Sequence, residues 1–274
     1  MPVYNCQQTL RAALTSLLGQ SYPNFELVIS DNASEDATGS ICQEYARQDA
    51  RIRYVRQPRN CGATANFQYV LDKAQGEFFM WAASDDIRSP DFIQHNLDFL
   101  CAHPDFVAST SPVRFAGGVF NPLKMGDASL HGPLDQRVCA FFRGWHANGR
   151  YYSLMRRSAI QDCPVVRTPF LGSDWAVVLH LIRQGKLHRV ENGWLELGTN
   201  GASRGKNIFR TYRRSILDFF CPLARLSVFT WRMCRQFPKL SKVKIFWELV
   251  RLNLLAFASQ MLVHWRKPMS QDER

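Results

Sequence analysis

The first hundred residues alternate between segments with helical spacing of apolar positions and short apolar runs. Leu10, Leu14 and Leu17 recur three or four residues apart, which places them on one face of a helix that ends near Gly19. Strands are predicted at 25–30, 53–56, 77–82 and 106–110, and further helices after the N-cap candidates Ser34 and Ser89 and at 63–73. This alternation predicts an α/β fold around a mostly parallel sheet flanked by helices.

The second half of the chain is less regular. Gly, Pro and Asn are frequent at 117–133, which predicts a loop between two halves of one domain. We expect the first half at residues 1–115, the second at 116–206 with a clear helix at 174–184, and a helical tail at 207–274. The apolar run at 252–265 holds about 14 residues, fewer than the roughly 20 that cross a bilayer. It favours an amphipathic helix on a membrane surface over a core or dimer helix.

Charge and cysteine usage narrow the functional classes. With 46% hydrophobic and 21% charged residues the chain is typical of a globular protein, and its net charge is +11. Basic residues are dense at 203–244 and interleaved with apolar ones, which favours an anionic membrane surface over nucleic acid. The eight cysteines show no zinc or CxxC spacing, and no secretory signal opens the sequence. We therefore expect a cytoplasmic protein, peripheral at the inner face of the membrane.

Polar motifs follow three predicted strands, where ligands bind in open α/β sheets. Asp85 and Asp86 end an apolar run and could hold Mg²⁺ or Mn²⁺ against a diphosphate, or could simply end the strand and cap the next helix. Asp31 could accept a hydrogen bond from a uracil ring or form an Asx turn. The segment from Asn60 to Gly62 opens a helix and could approach a phosphate or serve as a plain turn.

Together these segments resemble a known family. Five motifs occur in order: Pro-Val-Tyr-Asn at 2–5, Ser-Leu-Leu-Gly-Gln-Ser-Tyr at 16–22, Glu-Leu-Val-Ile-Ser-Asp-Asn-Ala-Ser-Glu-Asp-Ala-Thr at 26–38, Asn-Cys-Gly at 60–62 and Ala-Ser-Asp-Asp at 83–86. They are similar to those of family 2 glycosyltransferases of the GT-A fold. The resemblance implies a Rossmann-like nucleotide-binding domain and transfer of a sugar from a nucleotide-sugar, expected to be a UDP-sugar, to a hydroxyl with inversion at the anomeric carbon.

The resemblance also implies roles for individual residues. Pro2 and Asp31 would border the uridine, and Asp85 and Asp86 would form an Asp-x-Asp-like element in which Asp86 is the direct metal ligand. The complete set of residues expected at the donor is Pro2, Tyr4, Asp31, Asn60, Gly62 and Asp85.

An inverting transferase needs a carboxylate that takes the proton of the acceptor hydroxyl. Asp174 resembles the base of the family in its setting, although the helix dipole alone could explain an acid there. Glu191 and Glu196 are weaker candidates. Further candidates for contacts to donor or acceptor are Tyr151, Tyr152, Leu154, Arg156, His146, Arg204 and Lys206.

The sequence departs from the family pattern at two points. No apolar strand precedes Pro2, so either the true start lies upstream of Met1, which we favour, or the sheet lacks an interior strand. A Gln-x-x-Arg-Trp motif is also missing, which argues against a processive synthase. We expect a single-addition transferase acting on a glycan or lipid-linked acceptor, as in bacterial surface polysaccharide synthesis. The alternative is a catalytically inactive scaffold at the membrane surface.

Overall fold

The computed structural model describes residues 1–144, 146–167, 169–199 and 207–265. The strands β1 to β10 are Pro2–Val3, Leu27–Asp31, Ile52–Arg56, Phe78–Phe79, Ile87–Arg88, Phe106–Thr110, Val113–Phe115, Leu154–Arg156, Lys186–Arg189 and Leu195–Leu197. The helices α1 to α12 are Leu10–Leu18, Thr38–Gln48, Ala63–Lys73, Phe92–Ala102, Pro122–Met125, Leu134–Phe141, Arg157–Ile160, Ser173–Gln184, Ile208–Tyr212, Leu217–Phe220, Ala224–Met233 and Lys239–Trp265. Short 3₁₀ turns lie at Gly149–Tyr152, Pro164–Arg167 and Cys234–Gln236.

The N-terminal half confirms the predicted α/β alternation. Strands β1, β2 and β3 are parallel, and their register pairs Val3 with Asp31 and Asp31 with Arg56. Helix α1 buries Leu10, Leu14 and Leu17 against this sheet, as its spacing predicts. Because all three strands run the same way, the segments that follow them emerge at one edge of the sheet.

The sheet itself is more divided than the sequence indicates. Among the described residues the strands form three groups, β1-β2-β3, β4-β8-β6-β9 and β5-β10-β7, and four of the seven strand pairs are parallel. The strand predicted at 77–82 pairs only at Phe78–Phe79. Beyond it Trp81 remains fully buried and its indole N–H donates to the carbonyl of Phe67 at 3.2 Å. Apolar character at 80–82 therefore reflects burial without strand pairing.

A cavity of about 760 Å³ lies beside Met1, between β2 and β4. Its walls include Val28, Val70, Phe79 and other apolar residues. The Met1 amine is buried and donates to the carbonyl of Val28 at 2.7 Å, and burial lowers its pKa to about 5. Met1 therefore lies at one wall of this cavity, next to β2.

Two predicted helix starts are wrong by a few residues. Helix α2 begins at Thr38, because the Asp36 carboxylate accepts the backbone N–H of Thr38 at 2.9 Å, whereas the Ser34 hydroxyl accepts the backbone N–H of Asn5. Helix α4 begins at Phe92 after Asp91, so Ser89 lies before the helix. The loop predicted at 117–133 contains the short helix α5.

The C-terminal region is helical, as predicted. One side of α12 packs on the main core through Ile245, Leu249, Leu252 and Ala256. Its other side exposes large apolar side chains, namely Leu240, Val243, Phe246, Trp247, Leu254, Leu255 and Leu262. Within the described residues, the segment Lys239–Leu262 has the length and composition of a membrane span. In this fold one side of that segment packs against the protein core.

Candidate active site

A cleft of about 780 Å³ lies where the segments after β1, β2 and β3 meet residues 83–86. Phe115, Tyr152, Leu197 and Gly198 also line the cleft. Of the residues predicted to bind the donor or a metal, those that line it are Pro2, Tyr4, Asn60, Gly62, Asp85 and Asp86. Four of the five motifs, those at 2–5, 26–38, 60–62 and 83–86, thus supply residues to one surface.

Asp31 is the exception, because the structure does not place it on the cleft wall. It is fully buried, and its carboxylate accepts hydrogen bonds from the Tyr54 hydroxyl at 3.0 Å, the Arg56 guanidinium at 3.1 Å and the backbone N–H of Ser34 at 2.9 Å. These bonds fix the turn between β2 and α2. The prediction that Asp31 borders the nucleotide is therefore corrected. Its side chain is buried beneath the cleft wall and stabilises the turn that forms it.

Asn32 lines the cleft in place of Asp31. Its amide donates to Asn60 Oδ1 at 2.8 Å, and its Oδ1 accepts the backbone N–H of Cys61 at 2.9 Å. Asn60 Oδ1 also accepts the backbone N–H of Gly62, whose φ of +83° lets the chain turn into α3. The amide pair thereby holds the N-terminus of α3 at the cleft, where partial positive charge favours an anion.

Asp85 and Asp86 both lie against Gly198. Asp86 is buried, and its Oδ1 accepts the backbone N–H of Gly198 at 3.1 Å. A Cβ at position 198 would overlap the Asp85 carboxylate, so only glycine lets this backbone approach so closely. The close approach keeps the two acidic groups side by side at the cleft.

The Asp86 carboxylate has a free oxygen that suits a cation. Within the described residues, its Oδ2 is buried and has no hydrogen-bond partner. Burial raises the pKa of Asp86 to about 6, opposed by the nearby Arg88 guanidinium. No group of three or more His, Cys, Asp or Glu side chains among the described residues could hold a metal alone. A pair of carboxylates completed by diphosphate and water oxygens is a common binding mode of Mg²⁺, and these residues fit it.

A second cavity of about 250 Å³ adjoins the cleft and contains Asp174. The two cavities share Ala63, Phe67, Ala147 and Tyr152. Burial raises the pKa of the Tyr152 hydroxyl, and the charges of Asp86, Asp85 and Asp174 raise it further. Tyr152 therefore lies within electrostatic reach of both ends of one continuous cleft.

Asp174 lies in the first turn of α8 and is exposed toward this cavity. Desolvation raises the pKa of its carboxyl, and a hydrogen bond from Asn148 opposes the rise. Asn148 Nδ2 donates to Asp174 Oδ2 at 3.1 Å, and Asn148 has a left-handed backbone with φ of +58°. In this segment the sequence pointed to His146, Tyr151 and Tyr152 but not to Asn148, whose contact with Asp174 arises from the tertiary fold.

His146 has a structural role in this arrangement. Its ring stacks on Trp175 with a centroid distance of 4.2 Å, and its Nδ1 accepts the backbone N–H of Asn148 at 3.1 Å. Burial lowers the pKa of His146 to about 4, so it is neutral at physiological pH. The neutral ring thus holds Asn148 in place and does not line the cleft.

The remaining candidates separate clearly. Tyr151 and Tyr152 lie at the cleft, whereas Leu154 belongs to a separate apolar cluster and Arg156 binds the carbonyls of Phe106 and Leu100. Glu191 pairs with Arg189 and Glu196 pairs with Arg114, and neither glutamate lines the cleft. Arg204 and Lys206 lie outside the described residues.

Comparison with known proteins agrees with this geometry. The model of the family described as "Glycosyl transferase family 2" matches residues 1–163. The putative glycosyltransferase EpsE of Bacillus subtilis is 34% identical over 104 residues, which cover 38% of this chain and 37% of EpsE. Matches to such curated relatives span between 13% and 46% of their length.

Two solved structures show the same fold at low identity. The structure of S. aureus TarS 1-349 in complex with UDP superposes with a TM-score of 0.69 at 16% identity, covering 98% of this chain and 74% of that one. The mannosyltransferase PcManGT from Pyrobaculum calidifontis, in complex with GDP-Man and Mn²⁺, superposes with a TM-score of 0.58 at 16% identity, covering 95% and 71%. The GT-A expectation for the fold is confirmed.

Proposed function

Because this chain belongs to glycosyl transferase family 2, we propose that it is an inverting, metal-dependent transferase that moves a sugar from a UDP-sugar to a hydroxyl acceptor. The observation that carries the proposal is the continuous cleft, with Asp85 and Asp86 at one end and Asp174 at the other, joined at Tyr152. The complexes of S. aureus TarS with UDP and of PcManGT with GDP-Man and Mn²⁺, which share this fold, are consistent with it.

The donor would lie in the larger cavity. Pro2, Tyr4, Asn32 and Asn60 would border its nucleotide, and the N-terminus of α3 would face its diphosphate. Asp85 and Asp86 would hold Mg²⁺ or Mn²⁺, which when bound neutralises charge on a diphosphate leaving group. Asp31 would contribute indirectly, because its bonds to Arg56 and Tyr54 fix the turn that presents Asn32.

Asp174 would act as the base. The acceptor oxygen forms a bond to the anomeric carbon while the bond from that carbon to the diphosphate oxygen breaks, and the diphosphate leaves with the electron pair. The hydroxyl proton passes to Asp174, whose raised pKa brings it closer to the operating pH. Attack from the face opposite the leaving group inverts the anomeric carbon.

The exposed apolar side of α12 supports a location at a membrane. Trp247 and Phe246 are exposed there, and Lys239 and Lys244 lie on the same helix. Exposed apolar and aromatic side chains can insert into a bilayer surface, and nearby lysines are attracted to anionic lipid head groups. We accordingly propose a cytoplasmic protein that binds the inner face of the membrane and extends a lipid-linked or surface glycan.

The test is a thermal-shift screen of UDP-sugars with and without Mn²⁺, followed by NMR of the product anomer. A UDP-sugar should raise the melting temperature only with the metal, and the Asp86→Asn variant should lose that rise. Inversion predicts the opposite anomeric configuration in product and donor. Retention would contradict the single displacement, and binding without hydrolysis or transfer would favour the inactive scaffold.

A further inference from the structure

A further cavity, here called the arginine groove, lies away from the cleft. It has a volume of about 980 Å³ and is bounded by α8, α10 and α11 and the 3₁₀ turn that follows α11. It shares no lining residue with the two cavities that contain Asp86 and Asp174. The groove is therefore separate from the cleft, and none of its residues has a role in the proposed transfer reaction.

The walls of the groove carry an excess of positive charge. Arg183, Arg225, Arg232 and Arg235 line it, and Asp218 is the only acid among its lining residues. The Asp218 carboxylate already accepts the backbone N–H groups of two residues, at 2.8 and 2.9 Å. Across the described parts of the chain, no acidic side chain forms an ion pair with Arg183, Arg232 or Arg235. The four arginines are exposed, so solvent weakens their mutual repulsion, and a bound anion would reduce it further.

Most of the remaining lining is apolar, including Phe170, Val228, Phe229 and Phe237, and its other polar residues are His180, Ser215 and Gln236. Leu217 and Val228 are exposed, and so are the neighbouring Ile216, Phe220 and Trp231. The mouth of the groove therefore joins an apolar surface on α10 and α11. A ligand that fits both parts carries an anion on an aliphatic chain.

The chemistry of the arginines favours phosphate as that anion. The planar guanidinium forms paired, charge-assisted hydrogen bonds with phosphate oxygens, and several arginines can share one dianionic group. The groove also lies along the helix of the candidate base. Arg183 follows Asp174 by nine residues in α8, about 14 Å along the helix axis and on the opposite side of the helix. The two sites adjoin instead at the 3₁₀ turn Pro164–Arg167, because Pro164 lines the groove and Val165 and Val166 line the cavity of Asp174.

We propose that the arginine groove binds the phosphate and adjoining aliphatic chain of a lipid-linked acceptor. The proposal rests on the proposed function for the role of Asp174, and it names the class of acceptor that this function requires. The apolar residues of the groove contact the first part of the aliphatic chain, and the arginines bind the phosphate. The rest of the lipid remains in the bilayer beside α10 and α11.

Dodecyl phosphate serves as the probe, with inorganic phosphate and dodecyl maltoside as comparisons, measured by isothermal titration calorimetry. The wild type should bind dodecyl phosphate more tightly than either comparison, because only this probe has both the anion and the chain. The double variant Arg183→Gln and Arg232→Gln should weaken binding roughly tenfold or more. The matched control, Arg47→Gln with Lys73→Gln, removes the same charge from α2 and α3 and should bind like the wild type.

Unchanged affinity in the groove variant would overturn the proposal, and so would equal affinity for inorganic and dodecyl phosphate. The proposal would also be overturned if the groove variant binds phosphatidylglycerol vesicles less well while the wild type does not bind monomeric dodecyl phosphate. The arginines would then contact only the bilayer surface. Donor binding with Mn²⁺ is measured on the same variants. Failure of the wild type to bind any UDP-sugar would count against the proposed function. A groove variant that keeps its affinity for the donor and loses its affinity for dodecyl phosphate would support the proposed acceptor site. The variant Arg183→Lys with Arg232→Lys guards against misfolding and should recover part of the affinity.

Discussion

Asn148 donates a hydrogen bond from its side-chain amide to the Asp174 carboxylate at 3.1 Å. The bond joins the segment before a 3₁₀ turn to the first turn of α8, 26 residues later in the sequence. It directs one carboxylate oxygen of the candidate base and favours the charged form of that base. Two predictions follow from the base and its partner, and three concern other parts of the molecule.

Asp174→Asn should remove the proton acceptor while preserving shape. We expect kcat to fall by roughly 10²- to 10⁴-fold, while the affinity for a UDP-sugar with Mn²⁺ stays near that of the wild type. Steady-state kinetics and a thermal-shift titration measure the two quantities. Glu191→Gln is the control, because Glu191 is an exposed acid of the same half and lies outside the cleft. Comparable turnover in the Asp174 variant would remove Asp174 from the mechanism.

Asn148→Gly should change the pH dependence of the reaction. Glycine tolerates the left-handed backbone at this position, so the variant loses the side-chain hydrogen bond without added strain. Because that bond lowers the pKa of Asp174, its loss should raise the pKa. A base acts only when deprotonated, so the acid limb of the kcat profile should move to higher pH. A profile that keeps its position would mean that Asn148 does not act through Asp174.

Gly198→Ala should disturb the acidic pair. The added methyl group would overlap the Asp85 carboxylate and push it from its position beside Asp86. We expect the Mn²⁺ concentration needed for half-maximal activity to rise roughly tenfold or more, with little change in the melting temperature of the free protein. A Mn²⁺ titration of activity measures this. Gly144→Ala is the control, since a Cβ there meets no atom within 4 Å.

An extension of three to five β-forming residues before Met1 should stabilise the fold. The added residues can enter the cavity beside β2, bury apolar surface and pair with the strand, a gain of roughly 2 kcal/mol or more. The extension also removes a buried amine. The pKa of this amine is about 5 in the fold and 8.0 ordinarily, so the fold loses stability as pH falls from 8 toward 5.

Thermal denaturation of the extended chain across this pH range provides the measurement. The extended protein should melt about 5 °C higher at neutral pH and should lose the part of the pH dependence that the amine causes. A Gly-Ser extension of equal length is the control, because it removes the amine from Met1 but adds no apolar surface. Equal melting temperatures for the two extensions would show that the cavity does not accept a strand.

Leu254→Ser should weaken membrane binding. Leu254 is 64% exposed on the outer side of α12, and burial of a leucine side chain in a bilayer contributes about 1.5–3 kcal/mol. Partitioning onto phosphatidylglycerol vesicles should therefore fall roughly tenfold or more. Leu123→Ser is the matched control, because Leu123 is 72% exposed on α5. Equal losses in the two variants would argue against α12 as the membrane-binding surface.

The bounds of a helix or strand were predictable where they depend only on residues of the same short segment. The helix at 63–73 was predicted with its observed bounds, because its apolar spacing and its flanking residues agree. The edge of the sheet that carries the polar motifs was predictable too, because parallel strands end together. The strand predicted at 77–82 was too long, because buried residues are apolar whether or not they pair in a sheet. Only the position of neighbouring segments shows which of these residues form strand pairs.

The sequence alone determined the family, the α/β alternation and the set of segments that meet at the cleft, since these follow from ordered motifs and local periodicity. Tertiary structure decided which side chains face the cleft. Successive side chains at the end of a strand point to opposite sides, so a single residue separates Asp31 behind the wall from Asn32 on it. It also decided that Asn148 meets Asp174 and that four arginines from α8, α11 and the following turn share one groove. Such contacts depend on the packing of distant segments, which no local pattern encodes.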